Sequence, residues 1–305
     1  MELILLNLGT YWKVFSMSKI CDVTSVLIDL ALKEDLDGDI ANGDVTSIYF
    51  VPVERQSDSF IHAKADGILA GVEIALEVFR RVDPSLRLKA LMSDGDTLSY
   101  GDHILEISGS ARSILTAERT ALNFLQRLSG VASQTHDYVV LTEGTKAKVL
   151  DTRKTTPGWR SLEKMAVVAG GGGNHRMGLY DRAMVKDNHL MAQNKLEAIQ
   201  AAIFQLKKDR PAVEIELETD TLGQVGDFLK LDGVDYILLD NMDNEMIGNA
   251  VIMRDAYGGS APMLEASGGV NLSTIAQIAE TGVDFISVGA LTHSAVALDL
   301  SLDFQ

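Results

Sequence analysis

The sequence predicts an α/β protein, in which a small N-terminal α/β sandwich precedes an incomplete parallel α/β (TIM-like) barrel. Two observations predict it. From residue 147 onward, short apolar strands alternate with helical stretches, as parallel βαβ units do. Strand after strand also finishes in a reactive or glycine-rich group. A barrel gathers such groups at the carboxyl ends of its strands, whereas an open doubly wound sheet concentrates them at one switch point.

Taken in order, the first sixteen residues are apolar but lack the basic start and small-residue cleavage site of a targeting signal, and they read as an extension. Residues 24–36 read as a helix capped by Thr24 or Ser25, with Val26, Leu27, Leu30 and Leu32 as its apolar positions. Strand-like segments follow at Ser59–Ala65, Leu86–Met92 and His103–Ser108, with a helix at Val72–Val82 and turn signals at Asp94-Gly95-Asp96 and Tyr100-Gly101-Asp102. Ala111–Ser129 is a long amphipathic helix. The barrel strands are Ala147–Leu150, Ala183–Val185, Ala212–Leu217, Tyr236–Leu239, Met263–Glu265 and Phe285–Val288, six or seven rather than eight. They end in Asp151-Thr152-Arg153-Lys154, Lys186-Asp187-Asn188-His189, Glu216, Asp240-Asn241, Ser267-Gly268-Gly269 and Gly289.

Charge narrows the function. The chain carries a formal net charge of −16, yet residues 151–190 collect Arg153, Lys154, Arg160, Lys164, Arg176, Arg182, Lys186, His175 and His189. Compact cations beside glycines suit the clamping of carboxylates and phosphates. An acidic chain with no basic tail has no means of neutralising a nucleic-acid backbone. Cys21 is the only cysteine, which excludes an intramolecular disulfide and suits the reducing cytoplasm. No apolar run is long enough to span a membrane.

Gly170–Gly173 fails the G-x-G-x-x-G spacing, since Arg176 takes the last glycine position; the run is either a hinge or a means for His175 and Arg176 to approach a ligand. Glu214, Glu216 and Glu218 alternate onto one side of a strand, so spacing alone does not choose among them. With Asp240, such an acid is able to hold Mg²⁺, bind ribose hydroxyls or stabilise a developing cation. Ser267-Gly268-Gly269 and Val288-Gly289-Ala290 have the form of phosphate-binding nests, on the last two strands, where barrels place phosphate. Lys154 and Lys186 also have the chemistry of Schiff-base lysines.

The segments GDVTS, TAERTALNFLQRLSG, DTRKTTPGWR, GGGGNHRMGLYD, VKDNH, LLDNM, EASGGV and TGVDFISVGALTHS resemble the quinolinate phosphoribosyltransferase family, also called nicotinate-nucleotide pyrophosphorylase (carboxylating), from about residue 24 to 305. The resemblance implies a type II phosphoribosyltransferase: a sandwich over residues 17–130, joined by the tail 291–305, and an incomplete seven-stranded barrel over 131–290. It implies a glycosyltransferase of de novo NAD biosynthesis, which converts quinolinate and 5-phosphoribosyl 1-pyrophosphate to nicotinate mononucleotide, CO₂ and pyrophosphate with Mg²⁺. It further implies a cytoplasmic homodimer with shared active sites, in which Arg119 is lent to the neighbouring subunit. Thr152, Arg153, Lys154, His175, Arg176 and Lys186 would surround the dicarboxylate, with Lys154 and Lys186 also catalytic. Glu216 and Asp240 would be catalytic acids facing the ribose and ligands of Mg²⁺, directly or through water. Ser267, Gly268, Gly269, Val288, Gly289 and Ala290 would hold the 5-phosphate.

Overall fold

The protein is described by a computed structural model covering residues 21–186 and 196–305. The N-terminal extension, Met17 and the Asp187-Asn188-His189 part of the VKDNH motif lie outside the described residues.

Helix α1 (Asp22–Leu36) opens the first unit and buries Ile28, Leu32 and Leu36. Its N-cap is Cys21 rather than Thr24 or Ser25, because Thr24 is turned inward and buried, with Oγ1 3.2 Å from Cys21 Sγ. A short α2 (Val45–Phe50), unforeseen in the sequence, starts where the Asp44 carboxylate accepts the Ser47 amide. Four antiparallel strands form one sheet in the order β12-β1-β5-β3: β1 is Gln56–Ala63, β3 Arg87–Ala90, β5 His103–Ser110 and β12 Leu300–Phe304. A two-stranded ribbon, β2 (Gly67–Ile68) and β4 (Thr97–Leu98), stands beside it. Helix α3 (Val72–Val82) buries Ile74, Ala75, Val78 and Phe79. Its N-cap Gly71 sits at φ 98° with Leu128 pressed against the space a Cβ would fill, so only glycine suits that turn.

Helix α4 (Ala111–Val140) runs eleven residues beyond the Ser129 end that the sequence suggests. Ser129-Gly130 reads as a stop, but Gly130 serves packing: the C-terminal tail crosses so closely that a Cβ there would lie 2.0 Å from the Val296 carbonyl oxygen. The tail is then laced to α4 by Leu298 N donating to Gln126 O (2.9 Å) and Gln126 Nε2 donating to Leu300 O (2.8 Å). It finishes as β12, antiparallel to β1. Residue 130 thus lies inside one continuous helix that both units share.

The second unit is a parallel sheet in the order β6-β11-β10-β9-β8-β7. Its strands are β6 (Lys148–Leu150), β7 (Arg182–Val185), β8 (Glu214–Thr219), β9 (Tyr236–Asp240), β10 (Met263–Ser267) and β11 (Phe285–Ser287). From β7 to β11 each strand pairs with its successor, and β11 returns to β6. On the far side of β6, a single parallel bridge joins Leu150 to Gly173. That bridge is a single residue pair and no strand, so the sheet has six strands among the described residues where seven were expected. Among the described residues nothing pairs that bridge with β7, so the α/β barrel is incomplete.

Helices α5 (Arg160–Ala169), α6 (Leu196–Asp209), α7 (Leu222–Phe228), α8 (Asn244–Tyr257), α9 (Ile275–Glu280) and α10 (Ala290–His293) alternate with these strands. The interior of both units is one apolar cluster, from Ile61, Phe79 and Leu105 through Leu125 to Ile237, Leu264 and Ile286. Trp159 stacks on Phe124 of α4 with ring centroids 4.9 Å apart, fastening the loop after β6 to the shared helix.

Two glycines test the reading of α4. Gly130→Ala is expected to lower stability by about 1–3 kcal/mol, because the atom it must displace is backbone. Gly248→Ala on α8, where a Cβ meets nothing within 4 Å, is expected to raise stability by about 0.5–1 kcal/mol through helix propensity. Thermal unfolding of the two variants checks both signs, and an equal response would show that the tail does not constrain Gly130.

Candidate active site

The carboxyl ends of the barrel strands form one mouth, as expected for residues that follow parallel strands. Asp151 ends β6 and is fully buried. Its Oδ1 accepts the His175 amide at 2.8 Å and pairs with the ammonium of Lys164, which is itself 2% exposed. Lys164 Nζ also donates to the His175 carbonyl at 2.8 Å. With its amide nitrogen turned inward, Asn174 donates to Asp151 Oδ2 at 2.7 Å. Burial pushes Asp151 up to about 6 and pulls Lys164 down, and their mutual attraction offsets only part of this.

This lock holds the two cationic loops together. Arg160 adds a second lace, donating to Thr155 Oγ1 (3.1 Å) and to the Met177 carbonyl (3.0 Å). Arg176 Nη1 donates to the Arg182 carbonyl on β7 at 3.0 Å. Burial and the neighbouring Arg153 guanidinium both pull the Arg176 pKa down. Arg153 Nε is buried and has no hydrogen-bond partner. Two close guanidiniums, one with an unspent donor, favour an anion between them. Thr152 Oγ1 accepts the Lys154 amide at 3.0 Å, which fixes the turn that presents Lys154.

Beneath the mouth lies a buried layer of charge. His175 Nε2 is 3.1 Å from Glu216 Oε2 and 3.3 Å from Glu265 Oε1, and both carboxylates have no exposed surface. Arg182 Nη1 approaches Glu216 at 3.6 Å and Glu265 at 3.9 Å, while its guanidinium lies 3.9 Å from the Tyr236 ring centroid. Burial depresses the His175 pKa, but Glu265 and then Glu216 outweigh it, and the net shift is upward, to about 9. The Arg176 amide, donating to Nδ1 at 2.6 Å, opposes protonation there. In this arrangement the ring proton is on Nε2, facing the acids. Burial pushes Glu265 up, yet attraction from His175 leaves it below its ordinary value; burial and repulsion from Glu265 leave Glu216 above its own. The three donor atoms lie close enough for a cation. Arg182 and the imidazole N–H meet part of that charge, while the oxygens of Glu216 and Glu265 and the facing Arg182 Nη1 and His175 Nε2 make no hydrogen bond.

Glu216, expected at the ribose and metal, stands among buried charges. It sits one level down, facing Arg182 and His175, because side chains two residues apart on a barrel strand occupy successive interior layers. Glu218, one level higher on β8, stands at the mouth and pairs with Lys186 at the end of β7. His175 likewise turns its Nε2 into the buried layer. Asp240 ends β9 in register with Ser267 on β10. After Ser267, Gly268 and Gly269 adopt φ 96° and 62°, and a Cβ on Gly268 would lie 2.2 Å from Asn241 Oδ1. Gly289 caps α10, and the Lys154 side chain lies against it: a Cβ there would be 3.0 Å from Lys154 Cδ. Thr292 Oγ1 meanwhile holds the Lys154 carbonyl at 2.8 Å. Lys154 thus joins the cationic loop to the glycine nest following Val288. Arg119 is exposed on α4, with no hydrogen bond or ion pair to the barrel residues among those described.

The sequence shows Lys164 and Arg182 only as members of the cationic cluster and Asp151 only as a strand end, and it gives no role to Glu265. Glu265 had a signal: it is the one acid in the otherwise apolar strand that runs into the Ser267-Gly268-Gly269 nest. Arg182 and Glu214 face each other across β7 and β8, a pairing that spacing does not reveal before the strand order is known.

Known proteins share the sequence and the fold of this chain. Residues 44–129 match the N-terminal domain of quinolinate phosphoribosyl transferase and residues 131–303 its C-terminal domain. Quinolinate phosphoribosyltransferase [decarboxylating] 1b of Nicotiana tabacum is 41% identical over 291 residues, 90% of this chain and 81% of that protein. A probable nicotinate-nucleotide pyrophosphorylase [carboxylating] of Bacillus subtilis is 40% identical, over 87% of this chain and 89% of its own. The solved nicotinate-nucleotide pyrophosphorylase of Francisella tularensis superposes with a TM-score of 0.85 at 38% identity, covering 94% and 98% of the two chains. With both domains matched, the chain belongs to the quinolinate phosphoribosyl transferase family.

Proposed function

We propose that the protein joins quinolinate to 5-phosphoribosyl 1-pyrophosphate, forming nicotinate mononucleotide, CO₂ and pyrophosphate. The observation that carries this reading is the pairing of Arg153 with Arg176 at one side of the mouth, with the Gly268-Gly269 and Gly289 nests at the other. Lys154, packed against Gly289, lies between them. A dianionic pyridine fits the first half and a phosphorylated sugar the second. The ring nitrogen of quinolinate attacks ribose C1 as pyrophosphate leaves. The electrons of the C2–carboxyl bond then remain at the ring carbon beside the new cationic nitrogen, CO₂ departs, and a proton takes its place.

Breaking the C1–pyrophosphate bond builds positive charge on the sugar, which Glu218 and Asp240 at adjacent strand ends are placed to stabilise. Both acids are hard oxygen donors at the mouth, and they fit Mg²⁺, which binds through one or two carboxylates plus substrate phosphates. When bound, Mg²⁺ neutralises the pyrophosphate leaving group. The single cysteine suits a reducing compartment, the cytoplasm, and no helix among the described residues is long and apolar enough to cross a membrane.

We propose further that the active protein is a homodimer with shared sites, in which the exposed Arg119 completes the partner's anion pocket. The family resemblance and the exposure of Arg119, which makes no hydrogen bond or ion pair to the barrel residues among those described, support this.

Turnover of quinolinate is expected to exceed that of nicotinate by a large factor, since nicotinate leaves one of the paired guanidiniums uncompensated. Product assays with each acid decide it, and equal rates would sink the reading. Glu218→Gln and Asp240→Asn are expected to lower kcat by about 10²–10³, the usual effect of removing one preorganised electrostatic contact, while calorimetric quinolinate affinity stays near that of the unaltered protein. Glu216→Gln is expected to lower kcat less than Glu218→Gln, and the opposite order would return the role to Glu216. Mixing an Arg119→Ala chain with a Lys154→Ala chain is expected to restore activity through hybrid dimers. Heterodimers that form without activity would exclude a shared site.

A further inference from the structure

Asp151 and Lys164 are too deeply buried to reach a substrate, and neither has a part in the reaction proposed above. Their contacts nonetheless converge on one residue. Asp151 Oδ1 takes the His175 amide at 2.8 Å, and Lys164 Nζ gives a hydrogen bond to the His175 carbonyl at 2.8 Å. Asn174, the residue before, is held on the other Asp151 oxygen. The backbone of His175 is thus gripped on both sides, and the orientation of its ring and of the Arg176 amide follows from that grip. Arg153 follows Asp151 by two residues in the same loop. A buried ion pair adds little net stability compared with an apolar pair of the same size, so what this one supplies is geometry.

On the reading that quinolinate is the acid substrate, we infer that Asp151 and Lys164 are positioning residues for the dicarboxylate half of the site. They do so by clamping His175 between the loop after β6 and the loop before β7. The other half is held separately. The Lys154 carbonyl is tied to Thr292, and Gly268 packs on Asn241, with no hydrogen bond or ion pair from either to Asp151 or Lys164 among the described residues. Loosening the clamp should therefore weaken one substrate and spare the other.

The full-length double variant Asp151→Asn/Lys164→Met removes both charges together and leaves no unpaired ion to unfold the chain. The single variant Asn174→Ala takes one donor from Asp151 without leaving an unpaired ion, and serves if the double does not fold. Calorimetry with quinolinate alone and with 5-phosphoribosyl 1-pyrophosphate alone is paired with steady-state kinetics and a thermal midpoint. Quinolinate Kd and KM are expected to rise about 10–100-fold in the double variant, the scale of a misplacement of about 1 Å. Affinity for the phosphoribosyl substrate should stay unchanged. Unchanged quinolinate affinity in a folded variant, or an equal loss for both substrates, overturns the clamp. If the unaltered protein turns over neither substrate, the functional reading fails by itself, and quinolinate binding to the unaltered and altered proteins still decides the clamp.

Discussion

Two carboxylates, Glu216 and Glu265, stand in one interior layer of the barrel without exposed surface, and the rest of the site is arranged around that constraint. Isolated ions in such a place would be prohibitive, and removing one member of a buried pair typically costs about 3–5 kcal/mol. The layer answers with Arg182 from β7, stacked on Tyr236, and with the imidazole N–H of His175. Each answer constrains the mouth above. Arg182 offers its carbonyl to the Arg176 guanidinium, and His175 has its Nδ1 lone pair committed to the Arg176 amide. The partial compensation of the floor thereby orients the cations of the mouth.

The same logic recurs where the two units meet. Glu163 is fully buried on α5 and accepts from Arg127 of α4 (3.1 Å), from the Thr156 amide (3.0 Å) and from the Thr156 hydroxyl (2.8 Å). Arg127 in turn donates to the carbonyls of Thr292 and Ala295. One carboxylate therefore ties the shared helix to the loop that carries Lys154 and to the turn that follows Gly289. The tail crossing at Gly130 completes this brace. The loop that carries Lys154 and the turn after Gly289 keep a fixed separation because both are anchored to α4, a single helix.

Much of this was legible in the sequence, for a physical reason. Parallel strands buried on both faces read as short apolar runs, and their polar ends read as the mouth, so DTRK, LLDN, SGG and VGA were placed correctly without any contact being known. Levels within the barrel were not legible. Glu214, Glu216 and Glu218 alternate identically, and only the packing of Arg182 and His175 distinguishes the middle acid from the one at the rim. Lys164 on α5 likewise reads as an ordinary helical lysine until Asp151 is seen to face it. The end of α4 was misplaced because Gly130 has two possible meanings, helix stop and close approach, and the second requires the tail, far along the chain.

The chain as a whole is strongly acidic, which sets a problem for capturing two polyanions. At physiological ionic strength charges are screened over about 8 Å. A substrate at the mouth therefore responds to the groups within that reach rather than to the net charge. There the balance is reversed: Arg153, Lys154, Arg176 and Lys186 face Glu218 and Asp240, while the remaining acids of the barrel are spent against Arg182 and Lys164 below. Pairing the deep carboxylates internally weakens their field at the mouth, where Glu216 still acts on Arg176. It leaves the upper cations as the dominant local charge. Acidity outside and a positive pocket within are thus consistent, because the buried ion pairs keep the two from cancelling.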